Sequence, residues 1–220
     1  MLIALFAVAG YLAGSIPFGL WLVRLTKGVD IRTVGSGNIG ASNVWRTYGM
    51  RYGLPVMLLD ITKGFAPALA ATLVDGHLAG VLAGAAAMAG HARPVYLGFA
   101  KGGKMVATTG GAFLGAAAPV GLIGAAGWIL VFLATRYASV ASVVAAGSLP
   151  AIAYGLGYGW PVIGFGAAAG IGVLVLHRAN LRRLVAGTES RFQLRGRRSP
   201  GGGSGGGTTV RAGPSSARMR

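Results

Sequence analysis

The sequence contains no cysteine, and only four of its 220 residues are acidic. The absence of cysteine excludes disulfides, thiolate metal ligands and cysteine nucleophiles. The four carboxylates and three histidines are widely spaced along the chain and do not form a pattern typical of a metal site. We therefore expect neither a metal ion nor a cofactor.

Apolar residues, by contrast, are abundant. The chain is 54% hydrophobic and 11% charged, with a mean hydropathy of +0.64, which is too apolar for a soluble domain of this length. Many of the 40 glycines stand beside alanine in apolar runs, where small residues let membrane helices pack closely. Residues 1–23 lack the basic start and Ala-x-Ala site of a signal peptide, so we expect a retained first helix.

The net charge of +16 raises the question of nucleic-acid binding. Nine of the twenty basic residues, however, lie after Leu181, and most of the others stand at the ends of apolar runs. This distribution follows the positive-inside rule for membrane proteins, whereas a nucleic-acid-binding face needs a clustered basic patch. We therefore expect no nucleic-acid partner.

The apolar runs predict an all-α integral membrane protein with about seven transmembrane helices, the fourth of them short. The expected spans are 2–25, 51–74, 78–99, 105–117, 119–134, 138–156 and 160–176. Pro119 divides a run of about thirty apolar residues, which is longer than one span needs. Seven spans place the basic segments on one side, with the N-terminus outside and the C-terminus in the cytoplasm. Six spans would put the Arg-rich C-terminus opposite the basic first loop.

The composition changes near the end of the chain. Residues 1–192 form the expected membrane domain, and residues 193–220 form a basic tail of Gly, Ser and Arg. Because this tail has almost no apolar side chain to bury, we expect it to be disordered. Its arginines either contact anionic lipid headgroups or are simply solvated.

The first polar interval, residues 34–46, has the composition of an anion-binding loop. Its glycines let the backbone turn several N–H groups onto one small object, and no acidic residue opposes them. The candidate phosphate-binding residues are Ser36, Gly37, Asn38, Gly40, Asn43 and Arg46. The match to Gly-x-Gly-x-x-Gly is accidental as a dinucleotide motif, since Asp60, the acid at the required distance, lies in a predicted span.

The second polar interval, residues 101–110, begins with Lys-Gly-Gly-Lys. With Gly98 it nearly spells a Walker A loop, but Met105 stands where a Ser or Thr must hold magnesium. We therefore reject ATP binding. The remaining feature is a Gly102-Gly103-Lys104 loop that opens a short helix, so that N–H groups, helix dipole and ammonium point to one place.

The third polar interval covers residues 177–191. His177 and Asn180 are three residues apart and share a helix face if the last helix continues beyond the membrane. A lone histidine at an interface is usually structural, but two phosphate-type loops nearby leave a catalytic or binding role equally open. Glu189 is the only carboxylate after Asp75.

Asp60 and Lys63 are also three residues apart, inside the second predicted span. Charges at this depth are costly, so we expect a structural ion pair that supports the loops, in preference to direct substrate contact. His91, near the end of the third predicted span, is expected to be a packed, hydrogen-bonded histidine.

These segments resemble the bacterial acyl-phosphate:glycerol-3-phosphate acyltransferase family. The resemblance runs in order from about residue 10 to residue 192. It rests on Gly14-Ser-Ile-Pro-Phe-Gly19, Ser36-Gly-Asn-Ile-Gly-Ala-Ser-Asn-Val44, Asp60-x-x-Lys-Gly64, Gly90-His91, Lys101-Gly-Gly-Lys104, Val106-Ala-Thr108, Arg136-Tyr137-x-Ser139, His177-Arg-x-Asn-Leu-x-Arg183 and Gly187-Thr-Glu189. Met105 stands where the family usually has glycine, and Arg93 where it usually has an aromatic residue.

The resemblance implies a multi-pass enzyme of phospholipid synthesis in the bacterial inner membrane, with its site facing the cytoplasm. It would transfer a fatty acyl group from acyl phosphate to the 1-hydroxyl of sn-glycerol 3-phosphate, giving lysophosphatidic acid and phosphate. It implies catalytic roles for His177 and Lys104. The implied substrate-binding residues are Ser36, Gly37, Asn38, Gly40, Asn43, Arg46, Gly102, Gly103, Thr108 and Asn180, with Asp60, Lys63 and Glu189 as structural support.

Acyl phosphate is an activated donor, so no protein nucleophile is needed, and either His177 or the acceptor's own phosphate can take the hydroxyl proton. A small organic-anion transporter is the main alternative function, and a membrane scaffold is a second one. A transporter should line a path through the bilayer with polar groups, whereas here they cluster at one predicted face. The sequence leaves acyl chain preference and oligomeric state open.

Overall fold

The computed structural model describes residues 1–192, and the tail 193–220, with its expected disorder, lies outside the described residues. The helices are α1 (Leu2–Gly14), α2 (Phe18–Lys27), α3 (Ala41–Tyr48), α4 (Met50–Ala92), α5 (Val106–Ala116), α6 (Ala118–Thr135), α7 (Ala138–Gly155) and α8 (Trp160–Val185). Two 3₁₀ turns, Ile31–Thr33 and Val95–Leu97, lie in the connections. The prediction of an all-α membrane protein is confirmed.

Within residues 1–192, five helical segments are long and apolar enough to cross a membrane. They are Leu2–Lys27, Met50–Leu97, Ala118–Thr135, Ala138–Gly155 and Trp160–Val185. The Met50–Leu97 segment has 48 residues, about 70 Å at 1.5 Å per residue, roughly twice the bilayer core. Its helix α4 is interrupted at Asp75 and Gly76, and Gly76 has a φ of +76°. The count of seven spans stays a prediction, in which α4 crosses twice and the 11-residue α5 is the short fourth span.

Helix α4 packs against both α1 and α5 through glycines. Gly14 of α1 lies so close to the carbonyl of Ala87 that a Cβ would overlap it, and Gly111 of α5 approaches Ile61 in the same way. The expected use of small residues for close helix packing is thus present at both contacts.

Two proline residues mark the helix ends. Pro119 lies in the first turn of α6, and α5 ends at Ala116, so the predicted division of the long apolar run is confirmed. The predicted third span, 78–99, was too long, because α4 ends at Ala92. Arg93, which precedes Pro94, takes a φ of −136° and a ψ of 74°, since a following proline disfavours the helical conformation.

The first apolar run is broken between α1 and α2, at Ser15–Pro17. Lys63 Nζ donates a hydrogen bond to the carbonyl oxygen of Ile16 at 2.9 Å and lies 2.8 Å from Asp60 Oδ1. The structure thus contains the predicted ion pair, and its lysine also bonds a carbonyl at the helix break.

Candidate active site

The three polar intervals meet at one end of a cavity of about 430 Å³. Its polar wall includes Ser36, Asn38, Asn43 and Arg46 from the first interval, Lys104 from the second, and His177, Asn180 and Glu189 from the third. Its opposite end is apolar and lies between α5, α6 and α7, where Phe113, Leu114, Ala125 and Leu149 line it. The cavity therefore suits a molecule with an anionic head and a hydrocarbon chain.

Asn43, on α3, organises the first interval. Its side-chain amide donates to the carbonyls of Val34 at 3.1 Å and Asn38 at 2.9 Å, and its Oδ1 accepts the N–H of Ser36 at 2.8 Å. These bonds hold Asn43 in a structural position at the edge of the cavity. The sequence did not predict α3, because this stretch reads as a polar loop.

Gly37, another residue of the predicted binding set, shapes the loop without lining the cavity. It has a φ of +67°, in the left-handed region that favours glycine, and its N–H bonds the carbonyl of Val34 at 3.1 Å. Gly40 does line the cavity, and its N–H donates to Asn38 Oδ1 at 2.9 Å.

Arg46 is held from the far end of the domain. Its guanidinium donates to the carbonyl of Ser190 at 3.1 Å and stacks over the ring of Phe192, 4.4 Å from the ring centroid. Desolvation lowers the pKa of Arg46 below its usual value, while the carboxylate of Glu189 opposes the shift and Arg183 reinforces it. Arg46 remains a cation with further N–H groups for an anion.

Lys104 Nζ donates to Asn180 Oδ1 at 2.5 Å. Burial lowers the pKa of Lys104 to about 8, although the nearby Glu189 carboxylate opposes the shift, and the cations Arg183, Arg46 and Lys101 lower it further. Lys104 is thus an ammonium at neutral pH that the protein holds in an unfavourable place for charge. An arriving phosphate would supply the missing negative charge.

Glu189 is the hub of the third interval. Its carboxylate accepts from Asn180 Nδ2 at 2.7 Å, from Ser139 Oγ at 3.0 Å and from Arg183 Nε at 2.8 Å. Burial raises the pKa of Glu189, but these three donors outweigh it and the net pKa is lowered. Because the NH₂ group of Asn180 donates to the Glu189 carboxylate, the amide oxygen of Asn180 faces Lys104.

His177 lies on α8, which continues to Val185, so His177 and Asn180 do share a face toward the cavity. The Nδ1 atom of His177 lies 2.8 Å from the carbonyl oxygen of Val173. A carbonyl only accepts, so Nδ1 carries a proton in this contact and Nε2 is the nitrogen left to accept or donate.

Three other residues of the predicted binding set lie outside the cavity lining. Gly102 and Gly103 bond the end of α4 through N–H groups, 3.0 Å to Ala92 and 2.9 Å to His91. Thr108 is fully buried, with its carbonyl against Gly64, and Thr109 lines the cavity in its place. A helix turns 100° per residue, so the exact start of α5 decides which threonine faces inward.

Met105 has a φ of +66° and precedes α5. The backbone therefore has the conformation that glycine adopts most readily, so the methionine is held there with some backbone strain. The side chain turns away from the cavity into the core, where its methyl group packs against Gly172.

Sequence reasoning missed several lining residues. Ser139 and Ser142 are one helical turn apart on α7, and Trp128 Nε1 donates to Ser142 Oγ at 3.1 Å. Phe132 and Phe192 complete the wall, with ring centroids 5.3 Å apart. The spacing of the two serines was the available signal, since it places both on one helix face.

The helices and the cavity define the class, a multi-pass membrane protein with a cationic site at one end of an apolar cavity. A family model described as glycerol-3-phosphate acyltransferase matches residues 4–187. A glycerol-3-phosphate acyltransferase of Desulforudis audaxviator is 46% identical over 187 residues, covering 84% of this chain and 93% of that protein. One of Rhodospirillum rubrum is 45% identical over 202 residues, covering 88% and 93%.

Among solved structures, the chain is similar to PlsY (YgiH), an integral membrane glycerol 3-phosphate acyltransferase, in its glycerol 3-phosphate form. That similarity has a TM-score of 0.83 and 40% identity over 87% of this chain and 96% of the other. The lysophosphatidic acid form gives a TM-score of 0.80 and 39% identity, with coverage of 87% and 95%. The chain belongs to the glycerol-3-phosphate acyltransferase family, and it is an integral membrane acyltransferase of phospholipid synthesis.

Proposed function

We propose that this protein transfers a fatty acyl group from acyl phosphate to the 1-hydroxyl of sn-glycerol 3-phosphate, giving lysophosphatidic acid and phosphate. The observation that carries the proposal is one cavity with two cationic groups, Arg46 and Lys104, at its polar end and an apolar arm behind them. Both substrates carry a phosphate, and only the donor carries a hydrocarbon chain. The forms of the related PlsY, with glycerol 3-phosphate and lysophosphatidic acid, agree with the acceptor and product.

The acceptor hydroxyl oxygen attacks the carbonyl carbon of acyl phosphate, and the bond from that carbon to the phosphate oxygen breaks. Phosphate leaves with the electron pair, and no covalent enzyme intermediate is needed. The hydroxyl proton passes either to Nε2 of His177 or to the phosphate dianion of the acceptor. Lys104, oriented by Asn180, stabilises the charge on the departing phosphate.

Ser36, Asn38, Arg46 and Asn180 bind the phosphate groups in this proposal, while Glu189 orients Asn180. Positioning and charge neutralisation supply most of the rate, since the donor is already activated. The polar end of the cavity faces the cytoplasm of a bacterial inner membrane in a seven-span arrangement, so the soluble acceptor enters there and the lipid chain stays among the helices.

The donor assignment is tested with purified protein in phospholipid vesicles. We expect product from glycerol 3-phosphate with acyl phosphate and none with acyl-CoA, because the sequence shows no site for adenine or pantetheine. Equal use of acyl-CoA would refute the donor. Uptake of labelled glycerol 3-phosphate into the same vesicles without product formation would instead support the alternative, an organic-anion transporter.

A further inference from the structure

Helix α4 carries a buried polar cluster that the proposed chemistry does not use: Asp60, Lys63 and His91. Their side chains are 4%, 2% and 4% exposed. Besides the ion pair of Asp60 with Lys63, His91 Nδ1 lies 3.7 Å from Asp60 Oδ1, the same oxygen that Lys63 contacts. Ionic groups are costly to bury, and Asp60 and His91 also line the cavity that contains Lys104.

His91 lies directly against the second polar interval. Its carbonyl oxygen accepts the N–H of Gly103 at 2.9 Å, and its imidazole covers the Cα of Gly103 so closely that a Cβ there would overlap the ring. The neighbouring Gly102 is held by Asn38, whose Nδ2 donates to the Gly102 carbonyl at 3.3 Å. The residue that follows this clamped pair is Lys104.

The Asp60 carboxylate lies beside the Nδ1 edge of the His91 ring. Within residues 1–192, Nδ1 of His91 has no hydrogen-bond partner, and the distance to Asp60 is too long for a direct bond. The Asp60 carboxylate nevertheless faces the Nδ1 edge of the ring, and Lys63 Nζ holds the same carboxylate oxygen at 2.8 Å. Both Asp60 and His91 belong to the wall of the cavity that contains Lys104.

We propose that His91, oriented by Asp60, is a positioning residue that sets the place of Lys104 through Gly103. The ring holds Gly103 from one face, the carbonyl holds its N–H, and the ammonium of Lys104 is thereby presented to Asn180. This inference rests on the role proposed for Lys104 in acyl transfer. It assigns a task to the Asp60-x-x-Lys63 and Gly90-His91 segments.

The direct test measures position 104 itself. Because the chain has no cysteine, Lys104→Cys provides a single thiol whose rate of modification by a small methanethiosulfonate reagent reports its exposure. Adding His91→Ala should raise that rate by about fivefold or more, as expected when a local restraint is lost. The matched control is His77→Ala, which removes another α4 histidine with its own carbonyl contact, 2.7 Å to Ala116. An unchanged rate with His91→Ala overturns the proposal.

A steric double-mutant cycle tests the contact with Gly103. Gly103→Ala alone should lower turnover by about tenfold or more, because the new methyl group displaces the ring or the loop. In the His91→Ala background the space is free, so Gly103→Ala should cost little further activity. If the activity loss of the double variant equals the product of the two single losses, the ring does not fix the position of Gly103, and the proposal fails.

His91→Ser, which also empties the place of the ring, is used in both assays if His91→Ala does not yield folded protein. The thiol measurement also separates this inference from the function on which it rests. Wild-type turnover in Lys104→Ala would remove Lys104 from the chemistry, whatever the thiol rates show. Loss of turnover in Lys104→Ala together with unchanged thiol rates would instead refute the positioning role alone.

Discussion

The ammonium of Lys104 and the amide oxygen of Asn180 lie 2.5 Å apart, although 76 residues separate them in the sequence. Asn180 presents its oxygen because Glu189 accepts a hydrogen bond from its NH₂ group at 2.7 Å. A buried carboxylate thus fixes a neutral amide, which fixes a cation with a depressed pKa. These contacts hold the ammonium end of Lys104, and the Glu189 carboxylate partly offsets the lowering of the Lys104 pKa by burial.

The first prediction concerns the pH dependence that Lys104 imposes. If its ammonium stabilises the leaving phosphate, kcat/KM should fall as the pH rises through about 8, the pKa of Lys104 in the free protein. Lys104→Arg should move this alkaline fall in kcat/KM to a pH above the range that can be measured. Lys104→Ala should lower turnover by more than about tenfold. The measurement is the pH profile of kcat/KM for glycerol 3-phosphate.

Unfolding does not explain such a loss. Lys104 has a lower pKa in the folded chain, about 8, than its ordinary value of 10.5. Between these values the unfolded chain binds more protons at this residue, so its contribution to stability grows as the pH rises. An alkaline limb that persists in Lys104→Arg would show that another group titrates there.

A second prediction concerns Glu189. Glu189→Gln removes the charge that opposes the depression of the Lys104 pKa, so the alkaline limb should move to lower pH. The new amide also offers a donor to Asn180, which should turn its oxygen away from Lys104 and lower turnover by about tenfold. Ser190→Ala is the control, since the Arg46 contact there uses the main-chain carbonyl. A limb that stays in place would mean that Glu189 does not influence Lys104.

A third prediction concerns the group that takes the hydroxyl proton, either His177 or the phosphate of the acceptor. The measurement is the pH–rate profile of His177→Asn and His177→Ala at saturating acceptor. Only Nε2 of His177 is available for transfer, since Nδ1 contacts Val173. We favour the substrate phosphate as the base, so we expect a higher KM for glycerol 3-phosphate with the acidic limb intact. Loss of that limb, or a fall of about 10²–10⁴-fold in kcat, would make His177 the base.

The orientation in the membrane is testable because every introduced cysteine is unique. Cysteines at the exposed positions Ser36, Lys101 and Ser190 should react with an impermeant thiol reagent only when the cytoplasmic side is open. Cysteine at Asp75 should react from the opposite side. Thr109 is unsuitable as a reporter, because it is 3% exposed. Labelling of Ser36 and Ser190 from different sides would contradict the seven-span arrangement.

A fifth prediction uses the backbone at Met105. Met105→Gly and Met105→Ala both lose the packing on Gly172, but only glycine adopts a φ of +66° without strain. Met105→Gly should therefore be the more stable of the two by about 1 kcal/mol in thermal unfolding in detergent. At position 107, inside α5, the order should be reversed: Ala107→Gly should be less stable than the unchanged protein, because glycine is unfavourable inside a helix. Equal stability of the two Met105 variants would argue against strain.

Much of the architecture was predictable because membrane helices are recognised from runs of apolar residues that are neighbours in the sequence. The apolar runs, the division at Pro119 and the pairing of Asp60 with Lys63 all depend on residues close in sequence. The three polar intervals were recognisable by composition, and the structure brings them together. What they do once together depends on contacts between distant residues.

Those contacts were beyond sequence reasoning for physical reasons. Asn43 looks like a binding group in a loop, but its amide reaches back to hold Val34 and Asn38. The choice of Thr109 over Thr108 follows from the helix phase, which the left-handed turn at Met105 fixes. Phe192 belongs to the cavity only because the chain returns to Arg46 after α8.

The bond from Arg46 to the carbonyl of Ser190 joins positions 144 residues apart. During synthesis, Arg46 leaves the ribosome and its loop reaches the membrane surface long before Ser190 and Phe192 exist. A nascent chain that stalls in α7 or α8 is therefore inserted in the bilayer but has no closed pocket. We therefore expect a translation product that ends before Ser190 to be inserted in the membrane but to lack acyltransferase activity, since the contact that holds Arg46 would be missing.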